Sequence, residues 1–256
     1  MSAPAQGVTR HAALSGTRDG TSLWLLPLVS AALVAAVLIY IQVASLDSIE
    51  ARQLTAENIL TKTGQHIRLV AASTVAVVLI GVPLGVLLSR RKAAFLAPPV
   101  LLVANAGQAV PSIGILVLLA LLYGVGFQMA VIALVLYALL PILRNTIVGL
   151  QQVDPAVVDA ARGMGMSPAR ILWTVELPLA VPIMLAGIRV ALILNVGVAT
   201  LATYTSAGGL GDLIESGIAL NRMPVLLAGC LLTIALALLI DWLAGIAERY
   251  LSPKGI

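Results

Sequence analysis

The chain has 256 residues, 60% of them hydrophobic, 10% charged and 4% aromatic, with a formal net charge of +4. A soluble globular domain carries about 45–50% apolar and about 25% charged residues, so this composition excludes one and points to a chain built for a bilayer. The single cysteine, Cys230, sits in an apolar run and can form neither an intrachain disulfide nor a cysteine metal cluster.

Residues 1–22 begin polar and small (Ser2, Gln6, Thr9, Gly16, Asp19, Gly20) and read as a loose cytoplasmic tail. Six apolar runs follow, near residues 23–44, 67–88, 93–122, 128–147, 183–203 and 225–246. Each is long enough for a ~30 Å hydrocarbon core, which takes about 20 helical residues. The first is longer than the h-region of a signal peptide and is expected to be a retained transmembrane helix. Residues 45–66 form an extracytoplasmic segment carrying Asp47, Glu50, Arg52, Glu57 and Lys62, with a short surface helix expected over 55–64. The third run is too long for one straight span. Pro98-Pro99 near its start and Pro111-Ser112 in its middle predict a kinked or broken helix. Backbone groups in lipid must be satisfied within a helix or a closed barrel, and the alternating segments of a barrel are absent. The expected fold is therefore an all-α membrane protein of about six transmembrane helices, read as one domain.

Basic residues set the orientation. Arg90-Arg91-Lys92 follows the second run, and Arg144, Arg162 and Arg170 flank or occupy the connection after the fourth. Arg10, Arg18, Arg249 and Lys254 lie near the ends of the chain, whereas only Arg52, Lys62, Arg68 and Arg222 fall in the proposed outer segments. Under the positive-inside rule both termini and the even-numbered connections are cytoplasmic.

A charged, helix-forming segment of about thirty residues separates the fourth and fifth runs. Asp154-Pro155 offers a capping carboxylate followed by proline at the first helical position, where the missing N–H costs nothing. Val153, Val157, Ala160 and Met164 fall on one face, with Asp159 and Arg162 elsewhere, and Gly163 and Gly165 can end the helix. Ser167-Pro168 starts a second helix by the same device, with Ile171, Val175 and Leu179 on one face. Leu177-Pro178 is expected to bend the chain into the fifth span. Ala160, Ala161 and Gly165 make a small-residue corner that another protein could approach closely. An ordinary interfacial loop and a docking surface for a soluble partner both fit these features.

The glycine-rich stretch Ser206-Ala207-Gly208-Gly209-Leu210-Gly211-Asp212 lies in the connection 204–221. It has no lysine in a phosphate-loop pattern and reads as a tight turn re-entering a short interfacial helix. It is also a candidate contact for an external binding protein. Within the spans, Asn105, Gln108 and Asn195 line a translocation path or make interhelical hydrogen bonds. Arg189 is expected to snorkel to the inner surface, and Asp241 is the one acid well inside a span. His66 is expected at the outer membrane edge as an exposed structural imidazole rather than a metal ligand.

Asp159-Ala160-Ala161, then Gly165 after three residues, then Leu177-Pro178 and Pro182, resembles the EAA loop of permease subunits in binding-protein-dependent ABC importers. The family's usual Glu is Asp159 here, which keeps the charge on a shorter side chain. Gln65-His66-Ile67-Arg68-Leu69-Val70, the run 207–214 with Gly217-Ile218, Gln108-Ala109-Val110-Pro111-Ser112, Leu140-Pro141 and the run 237–241 resemble the osmoprotectant branch. The resemblance covers residues 55–250. It implies a type I importer bundle with a permease core over 67–250 and a cytoplasmic coupling loop near 150–182. Asp159, Ala160, Ala161, Gly165, Leu177 and Pro178 would then serve ATPase coupling.

The implied partners are a cytoplasmic ABC ATPase, an extracytoplasmic substrate-binding protein, a second permease copy or paralogue, and membrane lipid, with no nucleic acid. The implied cargo is glycine betaine, choline or carnitine. A permease for methionine, phosphonate or sulfonate remains open, as does a secondary transporter, although no internal repeat supports the latter. No catalytic constellation, cofactor motif or metal-ligand spacing is present in the sequence, so ATP hydrolysis is expected in a separate subunit.

Overall fold

A computed structural model describes residues 21–251; the expected cytoplasmic tail lies almost wholly outside them. The described residues are mostly helical, with no strand among them. Five helical stretches are long and apolar enough to cross a membrane, and a sharply bent pair brings the number to six if it counts as one span.

Helix α1 (Thr21–Val43) leads through the short α2 (Ser48–Gln53) to α3 (Ala56–Ser89). Asp47 caps α2, accepting from the N–H groups of Ile49 and Glu50, while Glu50 reaches back to the Asp47 N–H. Thr55 caps α3 by accepting from the Asn58 N–H. The expected short surface helix at 55–64 is instead the start of α3. The 34-residue helix outruns the bilayer, so a polar first segment continues into an apolar one without a break.

After a tight turn at Ala94–Leu96, α4 (Ala97–Ala109) and α5 (Ser112–Tyr123) meet at 94°, the break sitting at Pro111. Pro98 and Pro99 occupy the first turn of α4, where they cost no hydrogen bond. Helix α6 (Phe127–Gln151) returns across the bundle. The polar connection then forms α7 (Pro155–Gly163) and α8 (Pro168–Ile171).

The chain does not bend off at Pro178 as expected. A wide π turn (Leu172–Glu176) joins α8 to α9 (Leu177–Val198), and the helical path runs unbroken into a 3₁₀ segment (Ala199–Thr205). Pro178 cannot donate to the Thr174 carbonyl, and the wider turn accommodates it through a Leu177 N–H to Leu172 carbonyl bond. The connection 204–221 is mostly helical, ending in α10 (Gly211–Ala219), before α11 (Met223–Leu251) makes the last crossing.

The core is α3, α6 and α9 packed on one another, with α11 against α9 and α10, and α1 outermost on α11. Small residues permit the approach: a Cβ added at Gly187 of α9 would stand 2.8 Å from the Pro141 carbonyl oxygen of α6. Large apolar side chains such as Leu79, Val103 and Leu121 stay exposed around the bundle. Water would disfavour such a surface; hydrocarbon does not.

Candidate functional site

At one end of the bundle, α7 stands clear of the core as a capped, independent helix. Asp154 accepts from the Ala156 N–H at 2.8 Å. At the other terminus Gly165 N–H bonds the Arg162 carbonyl and Met166 N–H bonds the Ala161 carbonyl, with Gly165 at φ +81°. This is the double closure of a helix by a left-handed residue, which glycine adopts without strain. Ser167 then caps α8 by accepting from Arg170 N–H at 3.4 Å.

The faces of α7 divide clearly. Val153 just before it and Ala161 within it are buried against the chain, whereas Asp159, Ala160 and Gly165 are exposed. The small-residue corner is therefore Ala160 and Gly165, with Ala161 turned inward. Val157, Met164 and Trp173 add exposed apolar surface, Met164 being 76% and Trp173 71% accessible. Asp159 and Arg162 pair at 2.9 Å, but both are about two-thirds exposed, so the pair contributes little to stability. Its charges are available to a partner. Leu177 packs on the cluster of Leu150, Ala180 and Met184, and Leu177 and Pro178 together root the loop in the bundle. Beside them, Arg90 Nη1 donates to Glu176 Oε2 at 2.6 Å.

The path candidates do not share one surface. Asn105 is exposed on α4. Gln108 is half-buried, its Nε2 donating to the Tyr137 carbonyl at 2.9 Å. Asn195 is fully buried between α9 and α3, donating to Thr74 Oγ1 at 3.2 Å, and its own Oδ1 has no partner among the described residues. Arg189 is ion-paired with α11. Its guanidinium grips Asp241 with two hydrogen bonds, at 2.5 and 2.9 Å, and reaches Glu248 at 3.3 Å. Pairing offsets the cost that an arginine or an acid would carry alone in hydrocarbon.

The opposite end is polar and tightly joined. His66 is fully buried rather than exposed, its Nε2–H donating to the Val196 carbonyl at 3.1 Å and its Nδ1 accepting from Leu210 N–H at 3.3 Å. One donor and one acceptor define a neutral tautomer. Gln65 Oε1 accepts from Gly209 N–H at 3.1 Å, so two successive side chains of α3 pin the glycine-rich turn. Lys62 pairs with Asp212, and Arg222 lies 2.8 Å from Asp47. The Glu50 N–H above all, with the Ile49 N–H and the Arg222 charge, holds the Asp47 carboxyl below the usual carboxylate range against a smaller desolvation effect. A polar cleft of about 570 Å³ opens here between Asn58, Lys62, Gln65, Ser206, Asp212 and Glu215. Sequence reading missed these long-range bonds because each joins residues more than a hundred positions apart.

A family model described as the inner membrane component of binding-protein-dependent transport systems matches residues 81–253. Choline transport system permease protein OpuBB of Bacillus subtilis is 40% identical over 80% of this chain and 93% of its own length. Osmoprotectant import permease protein OsmW of Salmonella typhimurium is 42% identical over 76% and 92%, respectively. Carnitine transport permease protein OpuCD of Listeria monocytogenes is 40% identical over 74% and 84%. A chain of the MetNI methionine ABC transporter, solved in inward-facing conformations, is 25% identical and superposes with a TM-score of 0.67 over 76% of this chain and 96% of its own.

Proposed function

Because the chain belongs to the family of inner membrane components of binding-protein-dependent transport systems, we propose that it imports osmoprotectants, quaternary ammonium solutes of the glycine betaine, choline and carnitine kind. It is a permease subunit of an ABC importer with the type I fold. The relatives named for choline, carnitine and osmoprotectants support this cargo over methionine, phosphonate or sulfonate. The methionine transporter's likeness concerns the fold.

The exposed α7 carries the coupling reading. A helix that the chain caps at both ends, yet leaves with Val157, Ala160, Met164 and a free charge pair outward, is surface prepared for a protein partner. The partner is the ATPase, whose closure on ATP moves α7 and, through the π turn, α9. The side assignment follows the basic residues: Arg90, Arg91, Lys92, Arg144, Arg162 and Arg170 gather at the α7 end, which faces the cytoplasm. The polar cleft end then faces the extracytoplasmic binding protein, and a second permease copy completes the pore.

Quaternary ammonium recognition uses a cage of aromatic rings. Aromatics are only 4% of this chain, and its described ring contacts are Trp24 with Trp242 and Arg68 over Phe127. Substrate choice therefore resides in the binding protein. Reconstituted in proteoliposomes with its ATPase and binding protein, the chain should give ATP-dependent uptake of labelled betaine, choline or carnitine. Without the binding protein, calorimetry should detect no high-affinity betaine binding. Uptake of methionine but not betaine, or tight betaine binding by the permease alone, would overturn the reading.

A further inference from the structure

Arg90 and Glu176 come together from residues 86 positions apart, where three elements converge. Arg90 ends α3 and is held there by a second bond, its Nε donating to the Val86 carbonyl at 3.4 Å. Glu176 closes the π turn, one residue before α9 begins. The π turn itself packs against α7, α8 and α9. Glu176 is mostly buried, its side chain 14% exposed against 36% for Arg90. A charge-assisted pair with one partner so enclosed is stronger and more rigid than a solvated surface pair.

The π turn makes the position mechanically distinctive. One extra residue in a turn offsets the helix phase by about 100°, and such turns are frequent at functional sites. A helix path with that fault is a poor rigid lever by itself: a displacement of α7 can be absorbed at Leu172–Glu176 by tightening or widening the turn. A brace at one end of the fault limits that freedom. The Arg90–Glu176 pair ties the α9 end of the turn to the end of α3, so a displacement that reaches Glu176 is shared with α3.

We propose that Arg90 and Glu176 are positioning residues for transport, a strut that holds the α9 end of the π turn to α3 so that α3 and α9 move together when the ATPase closes. The proposal rests on the reading of α7 as the ATPase contact. The charges that matter are one positive on α3 and one negative on the turn, and their order is interchangeable.

The test uses the complete transporter in proteoliposomes with Glu176→Gln, Arg90→Gln and the exchanged pair Arg90→Glu with Glu176→Arg. The readout is substrate transported per ATP hydrolysed, alongside co-purification of the ATPase. Both single variants should keep the ATPase bound yet lose about tenfold in that ratio, within the usual range of coupling free energies. The exchanged pair should recover most of it. Single variants with a normal ratio overturn the strut, and so does an assembled exchanged pair that stays as uncoupled as the singles. Loss of assembly in the singles without recovery on exchange assigns the pair to folding alone and equally overturns it. A failure of the functional reading shows separately, as absent ATP-dependent transport by the unaltered chain.

Discussion

Pro141 sits in the middle of α6 without an N–H to offer, which orphans the Tyr137 carbonyl four residues earlier. Gln108 of α4 supplies the missing donor at 2.9 Å. A bare carbonyl in a bilayer has no water to turn to, so the glutamine and the proline form one unit although they lie on different helices. Gln108→Leu is expected to destabilise the chain by about 1–3 kcal/mol, the cost of an unsatisfied buried acceptor. Pro141→Ala restores the backbone donor, and in that background the same substitution should cost less. Thermal unfolding in detergent of the two single variants and the double variant measures the difference; equal cost in both backgrounds would separate the two residues. The same logic explains Arg189: its partner Asp241 is 52 positions away, and no local pattern announces the pair.

At the scale of the element, α7 was legible because its signals are local. Asp154-Pro155, Ser167-Pro168 and Gly165 each act within a few residues, and the structure uses all of them as caps or closures. The π turn was not legible, since proline at 178 signals an interruption without saying whether the helix breaks, kinks or widens. The expected helix at 55–64 failed for a related reason. Its charged residues set it apart by composition, but Lys62 and Gln65 face the polar cleft rather than marking a helix end. Gly165 affords a direct experiment on α7. Among the described residues nothing lies within 4 Å of a Cβ added there, so a side chain meets open space and a left-handed backbone. Gly165→Asp should therefore insert normally, with transport and transport-stimulated ATP hydrolysis reduced. Unchanged transport by a normally inserted variant would remove α7 from the coupling path.

For the whole molecule, apolar run length disclosed the candidate crossings, and the third, overlong run is the bent α4–α5 pair. What sequence could not disclose is which polar groups seal each end. His66 is the instance: a histidine beside a membrane edge reads as exposed, yet it is buried because Val196 and Leu210 take both of its nitrogens. The two ends differ in kind. One presents an exposed helix beside Arg90, Arg91 and Lys92, and the other a polar cleft closed by bonds from α3.

The claim that the α7 end receives the ATPase is tested most directly by cross-linking in a Cys230→Ser background, with single cysteines at Met164 and at Ser48, both of which replace exposed residues at opposite ends. In inner-membrane vesicles containing the assembled transporter, a short thiol-reactive cross-linker should join the chain to the ATPase from position 164 and not from position 48. A product from position 48, or none from position 164 in an active complex, would contradict the account.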